Sequence, residues 1–334
     1  MCHGLARVQG HRRTCRWKRH PQAPTDGTCA RALFRSRTYD TNVGLVNVFG
    51  EPLNDSPILV HALASFMDAG SAGRVALNHI VDSSEARVIA EFDIDMLFDY
   101  RGRRPRATFL SDHYGEIDMP RLLIKEVTDA QGQQFLVLQG PEPDFGWLAM
   151  RDAIVQFVQK WSIDLVVGLQ GIPFPAPHTR PVFITAHGTD ESIVAGRRPW
   201  VGNIEIPGSL AGLVEIALGR QDRRCAGLVA HVPHYLTNVE HPASAVRLIE
   251  ELSSITGLAI PLDELREKAR ETDEEITKHF TDDADNAQVV SALEQQYDEQ
   301  VASRGEDGAD ESVDVPTAEE IAAQVEQFLA DLDK

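Results

Sequence analysis

The chain has 334 residues, 43% of them hydrophobic, and a formal net charge of −19; this is enough for one large α/β domain with an appendage and a true core. The charge is lopsided: residues 1–39 hold nine Lys/Arg against one acid, Asp26, which leaves 23 Lys/Arg and 50 Asp/Glu for the remainder. So acidic a body repels nucleic acid and anionic lipid, and no run of 18 apolar residues exists to span a membrane.

Residues 1–39 are rich in Arg, His, Pro and Cys and are expected to form a disordered extension outside the fold. Trp17 among cations leaves a nucleic-acid arm as the alternative. The pair Arg12-Arg13 is not followed by an apolar stretch, so no signal peptide is read. Cys2, Cys15 and Cys29 lie here and only Cys225 lies in the body. No pair has zinc-ligand spacing and no disulfide framework is implied, which points to a reducing, cytoplasmic setting with no bound metal.

Folded structure is expected from about residue 40. Val43 to Phe49 reads as a short strand. Ile58 to Met67 is an apolar strand ending in Asp68-Ala69-Gly70, and Ser71 to Val81 follows as a helix. Val88 to Phe92 is a further strand, and Asp93 to Pro105 is a loop or short helix. Arg121 to Val127 and Gln134 to Gln139 form a hairpin through the turn residues 128–132. Trp147 to Trp161 is amphipathic, with Met150, Ile154, Phe157, Val158 and Trp161 at helical spacing. Ile163 to Leu169 is a buried strand. After it, Gly168 to Pro181 holds four prolines and reads as a rigid loop, since each proline removes a donor and fixes φ. Val182 to Ala186 and Ile204 to Ile206 are short strands, Ser209 to Gly219 a helix, Ala226 to Ala230 a strand, and Ala243 to Ile255 a helix stopped by Gly257.

This alternation argues for a mostly parallel sheet with helices on both faces, a core domain over 40–260. Leu262 to Phe280 and Ala287 to Val301 then read as a helical subdomain over 261–302. Residues 303–315 read as a flexible acidic linker, and 316–334 as a terminal amphipathic helix with a Thr317/Glu320 capping box and an apolar face of Ile321, Val325, Phe328, Leu329 and Leu332.

The chain contains no phosphate-binding P-loop, no G-x-G-x-x-G after a strand, no H-E-x-x-H and no G-x-S-x-G elbow, which weakens enzymatic readings. Polar groups do gather at expected strand ends. They are Asp68 after the first long strand, His178 and Arg180 in the proline loop, His187 after Val182 to Ala186, and His231, His234 and Tyr235 after Ala226 to Ala230. Ligands of open α/β sheets bind just outside such ends, so these seven form a candidate ligand or interface rim. A helix cap for Asp68 and backbone-bonded loop histidines are the plainer alternatives. Asp99, Arg101, Arg103 and Arg104 form a second cluster, read as surface ion pairs or a subunit contact. Asp144-Phe145-Gly146-Trp147 reads as a helix start with aromatic anchors.

The segments "FMDAG", "FDYRGRRP", "PEPDFGW", "GIPFPAPHTRP" and "HVPHYL", in this order over about residues 41–300, resemble the proteasome assembly chaperone 2 family in its actinobacterial branch. The resemblance implies an α/β/α sandwich similar to purine nucleoside phosphorylases, with a helical C-terminal extension. It also implies a non-enzymatic, assembly-chaperone-like protein, since eukaryotic relatives help assemble the 20S proteasome ring. It carries over no catalytic residue and no cofactor. By analogy of fold the expected partner is the chain itself, as a homo-oligomer and specifically a trimer, with a further protein held by the C-terminal helix. Neither nucleic acid nor membrane is an expected partner. The alternative is an enzyme or sensor of nucleosides or phosphorylated small molecules working through the His/Arg/Asp rim. An ATP-grasp-type ligase is disfavoured for want of a nucleotide loop.

Overall fold

Strand formation follows the apolar runs, and the result is a single eight-stranded mixed sheet with helices against both faces. The computed structural model describes residues 44–55, 57–65, 67–194, 205–281 and 284–306. In chain order the elements are β1 (Val46–Val48), β2 (Ile58–Ala64), α1 (Ala72–Asp82), β3 (Glu85–Phe92), β4 (Ala107–Leu110), β5 (His113–Ile117), β6 (Leu123–Thr128), β7 (Gln134–Pro141), α2 (Trp147–Lys160), β8 (Leu165–Phe174), β9 (Ile184–Gly188), α3 (Glu191–Val194), α4 (Leu210–Gly219), β10 (Arg224–Pro233), α5 (Pro242–Thr256), α6 (Asp263–Thr281) and α7 (Ala284–Glu306). The sheet order is β1-β3-β6-β7-β2-β8-β10-β9. Only β7-β2-β8-β10 in the middle are parallel, and both flanks are antiparallel. The parallel part is thus smaller than the alternation of elements suggests.

Because side chains alternate across a strand, consecutive apolar residues serve opposite faces. Val60, Val137 and Val167 pack with Leu77 and Ile80 of α1 and Leu248 and Ile249 of α5. Leu59, Leu136 and Val166 pack with Met150 and Phe157 of α2 and Leu210 and Leu218 of α4. Local signals fix the helix ends: Ser209 accepts from Gly212 N at 3.1 Å to start α4, and α5 opens on Pro242 and closes at Gly257 with φ 76°, the left-handed position that favours glycine.

Four expectations need correction. The proline segment is not a loop from Gly168: β8 runs on to Phe174 through Pro173, pairing with β10 as far as Pro233↔Phe174. This is possible because β2 leaves β8 after His61↔Gly168, so the far half of β8 has a strand on one side only, where a residue without an N–H is tolerated. With β10 paired along the same length His231 lies within it, opposite Ile172, and His187 lies within β9, opposite Gly227 of β10. Residues 106–119, unassigned by pattern, carry the exposed β4–β5 hairpin. Finally, α7 continues to Glu306, into the segment read as linker. Residues 1–39, Ile204, the rest of that linker and the terminal helix lie outside the described residues, and Glu205 and Ile206 form no strand. Among the described residues no helix is long and apolar enough to cross a membrane.

The α1–β8 seat yields a test. A Cβ added to Gly73 would sit 2.4 Å from Leu169 O. Helix propensity alone predicts that Gly73→Ala stabilises α1 by about 1 kcal/mol. The contact predicts the reverse, a loss of about 1–3 kcal/mol from overpacking. Urea unfolding, with a lower midpoint at unchanged slope, distinguishes the two.

Candidate functional site

Asp68 sits in the turn between β2 and α1, and its carboxylate is fully engaged. Oδ1 accepts from Gly73 N at 2.9 Å and Gly171 N at 3.0 Å, and Oδ2 accepts from Arg74 N at 3.0 Å. Burial pushes its pKa up while these amides pull it back. Asp68 is thus the helix cap that sequence allowed for, with β8 tied to it as well.

The proline segment beyond β8 forms a joint with the C-terminal helices. The backbone N–H of His178 donates to Tyr235 Oη at 2.8 Å, Nδ1 lies 2.8 Å from the same oxygen, and Nε2 lies 3.2 Å from Thr277 Oγ1 of α6. Burial lowers the His178 pKa and raises Tyr235 to about 12, so both are neutral near pH 7. That fits a Tyr235 hydroxyl that accepts the amide and donates to Nδ1. Phe280 closes over the pair, 5.7 Å from His178 and 4.8 Å from Tyr235 between ring centroids. Arg180 is clamped by α7: Nε and one terminal nitrogen donate to Asp298 at 2.9 and 2.8 Å, and the other donates to Glu294 Oε1 at 3.0 Å. Thr179 also donates to Glu294, and Tyr297 Oη donates to Pro181 O at 3.0 Å. Between this joint, α5 and α6 lies an open groove of about 820 Å³ lined by Arg180, Arg247, Arg266, Arg270, Asp273 and Lys278.

The remaining rim residues go elsewhere. His234 is exposed at the end of β10, and its ring stands edge-on to Tyr235 at 5.3 Å. His231 is buried, with Nε2 2.8 Å from Thr185 Oγ1 and its ring tilted on Phe174 at 4.3 Å. His187 pairs with Glu215 of α4 at 3.0 Å, which raises its pKa. The seven residues therefore fall into separate sets, each with its own partners. In the second cluster, Arg103 bonds Asp144 Oδ2 at 2.8 Å and Glu142 O at 2.6 Å, 4.3 Å over the Phe98 ring. Asp99 Oδ1 accepts from Arg101 N at 2.9 Å, with the Arg101 side chain 92% exposed, and Arg104 is exposed. Asp144 does not cap α2 through its own helix start; it accepts from Asp99 N at 2.7 Å and holds this loop.

Sequence reasoning missed a row across the sheet. His61 of β2 is in register with Gly168 of β8, Gly168 with Gly227 of β10, and Gly227 with His187 of β9. The His61 ring occupies the space of a Gly168 side chain, 2.8 Å from the position of its Cβ, and His187 does the same over Gly227 at 2.2 Å. Glu142 adjoins, accepting from Leu210 N at 2.8 Å. The available signals were a lone histidine inside an apolar strand and a glycine in the interior of two others, which marks close approach. Burial lowers the His61 pKa to about 4 and raises that of Glu142. Among the described residues no group of three His, Cys, Asp or Glu is placed to hold a metal ion.

The PAC2 family model matches residues 62–279. The chain is similar to a Mycobacterium tuberculosis protein of unknown function, Rv2714, at 35% identity and TM-score 0.76, covering 79% of this chain and 92% of that one. A Corynebacterium glutamicum protein of unknown function is 30% identical with TM-score 0.74, covering 77% and 98%. The Mycobacterium tuberculosis proteasome-assembly chaperone homologue Rv2125 is 25% identical with TM-score 0.64, covering 70% and 99%. Comparison with the curated proteins gives no match.

One pair in the joint predicts a pH dependence. His241 Nε2 and Asp273 Oδ1 face each other at 3.8 Å, and neither atom has a hydrogen-bond partner. Burial raises Asp273 to about 6 and lowers His241 to about 4. The folded value of Asp273 lies above its unfolded one, so stability tied to the neutral acid is full below about pH 4 and is lost as pH rises through 6. Asp273→Asn keeps the neutral form throughout. Its melting temperature should match wild type at pH 4 and exceed it at pH 7.5, as thermal unfolding across that range will show.

Proposed function

The chain belongs to the PAC2 family, and on that premise we propose that it is a non-enzymatic, assembly-chaperone-like protein that works through protein surfaces as a homotrimer. The observation that carries this reading is the contrast between a closed rim and an open hairpin. Arg180 and Asp68, which an enzyme or sensor of nucleosides or phosphorylated molecules would need free, are held by Glu294, Asp298 and three amides. Residues 106–119 are exposed throughout. There Phe109 and Tyr114 pack edge to face at 5.1 Å with 59% and 72% of their surface in solvent, beside Ile117 at 52%. A two-stranded hairpin is marginal by itself in water, and exposed aromatics on one are typical of contact surfaces.

In this reading the hairpin grips a second copy of the chain. Arg101, Arg104 and Arg106 at its root suit the acidic surface of such a partner. The sheet with helices on both faces supports the sandwich likeness to purine nucleoside phosphorylases from which the trimer is inferred. The likeness to a proteasome-assembly chaperone homologue supports a proteasome-type subunit as the client. The amphipathic pattern of 317–332 supplies a further contact to it.

Light scattering on the full chain at micromolar concentration should give a trimer, and Phe109→Asp with Tyr114→Asp should give a monomer of unchanged circular dichroism. Each anchor is expected to contribute about 2 kcal/mol to association. A wild-type monomer ends the self-association reading. Capture of purified proteasome subunits by wild type but not by a chain lacking 317–334 tests the client.

A further inference from the structure

The imidazole row floors a cavity that the assembly reading does not use. Neighbours in register share one face of a sheet, so His61 and His187 stand on the α4 side with Gly168 and Gly227 between them. Adjacent strands lie about 4.8 Å apart, which sets the two histidine Cα atoms roughly 14 Å apart across four strands. Each ring leans inward over its glycine. The cavity between and above them measures about 110 Å³. At about 30 Å³ per liquid water it has room for roughly three or four waters, or one small polar group with its first methylene.

Its walls define the chemistry. Glu215 of α4 stands over His187 and Glu142 closes one side. Gln170, Ser65 and Ser209 add oxygens, and Leu63 and Ile206 add an apolar strip. The lining includes no Lys or Arg. Of the amides at the start of α4, Leu210 N is taken by Glu142 and Gly212 N by Ser209. Glu142 makes a hydrogen bond through Oε1 only, and His61 has no hydrogen bond among the described residues. Glu142 and Glu215, with the acceptor oxygens and the His61 imidazole, match a group that carries positive charge and several N–H donors, which would share Glu215 with the His187 ring and Glu142 with Arg103 beyond the cavity wall.

We propose that this cavity binds one ammonium or guanidinium group, held between Glu142 and Glu215 over the Gly168–Gly227 floor, with its aliphatic arm leaving past Ile206. The group is a free organic amine or the side chain of a Lys or Arg on another protein. The inference stands apart from the trimer and client proposed above.

The test titrates the full chain by calorimetry at pH 7.5 with methylguanidinium, butylammonium, agmatine and a capped Gly-Arg-Gly peptide, with inorganic phosphate and adenosine monophosphate as anion controls. One-to-one binding of a cation probe is expected, weakened at least tenfold by Glu142→Gln, whose amide oxygen still accepts from Leu210 N. Ile206→Trp, at an exposed position, should block the mouth without touching a carboxylate and gives a second reading if the Gln variant is unstable. Binding of agmatine without the peptide identifies a small amine, and comparable binding of the peptide identifies a protein side chain; both support the site. Absence of binding by every cation probe, affinity unchanged in both variants, or binding of the anions that Ile206→Trp abolishes overturns it.

Discussion

The half-buried carboxylate of Asp68 is the joint on which the rest of the architecture turns. No cation is bonded to it, since the Arg74 side chain reaches out to Glu240 instead. Its three hydrogen bonds all come from backbone amides. These amides and the dipole of the helix N-terminus favour the ionised form and recover part of the cost of burial, which still leaves the Asp68 pKa raised. Because two amides belong to α1 and one to β8, the carboxylate draws the helix start onto the strand. The approach is close enough that Gly171 faces Ala69 O where a side chain would stand 2.4 Å away. The exit of β10 and the start of α5 join at the same point, through Gly70 N to Thr237 O at 2.8 Å and His241 N to Gly70 O at 2.9 Å. β2, α1 and β8 therefore meet at one acidic residue, and the approach to α5 is held two residues on, at Gly70.

That seating carries β8 beyond the end of its pairing with β2 and aims the proline segment at α6 and α7. The strand-end rim, where open α/β sheets place their ligands, serves here as a joint with the C-terminal helices. Burial keeps His178 and Tyr235 neutral, and the Arg180 guanidinium is divided between two carboxylates. The same prolines that read as a rigid loop at a ligand or interface rim give a preformed edge for helices to pack on.

Much of the fold was legible because burial imposes period. The runs of β2, β6, β7, β8 and β10 and the stripes of α1, α2, α4 and α5 all appear in the sequence within a few residues of their ends. What escaped has physical causes. Pro173 and Pro233 look like strand breakers, but the strand partner that would expose the missing donor is absent on one side. Phe109, Leu110 and Tyr114 lie in a short polar-rich segment whose apolar residues face solvent, so no core enforces a pattern there. Asp144 stands in a helix-start position, yet its Oδ2 accepts from Asp99 N and Arg103, a choice set by tertiary contact. The grouping of the seven rim residues was not legible, because strand order decides which ends are neighbours.

The imidazole row shows the same limit from the other side. A glycine inside a strand weakens it by about 0.5–1 kcal/mol relative to alanine, and two in register on adjacent central strands double that. At Gly171 and Gly188 the backbone of a neighbouring segment fills the place of a side chain, so close packing accounts for those positions. At Gly168 and Gly227 the space goes to two histidine rings, which any apolar side chain would fill at lower desolvation cost. A core shaped only by packing has no reason to clear that space for imidazoles or to set Glu142 and Glu215 beside them. Where Asp68, His178 and Arg180 are held by other groups of the chain, this face leaves an imidazole and a carboxylate oxygen without bonds among the described residues, and it is there that the chain keeps chemistry available for something other than itself.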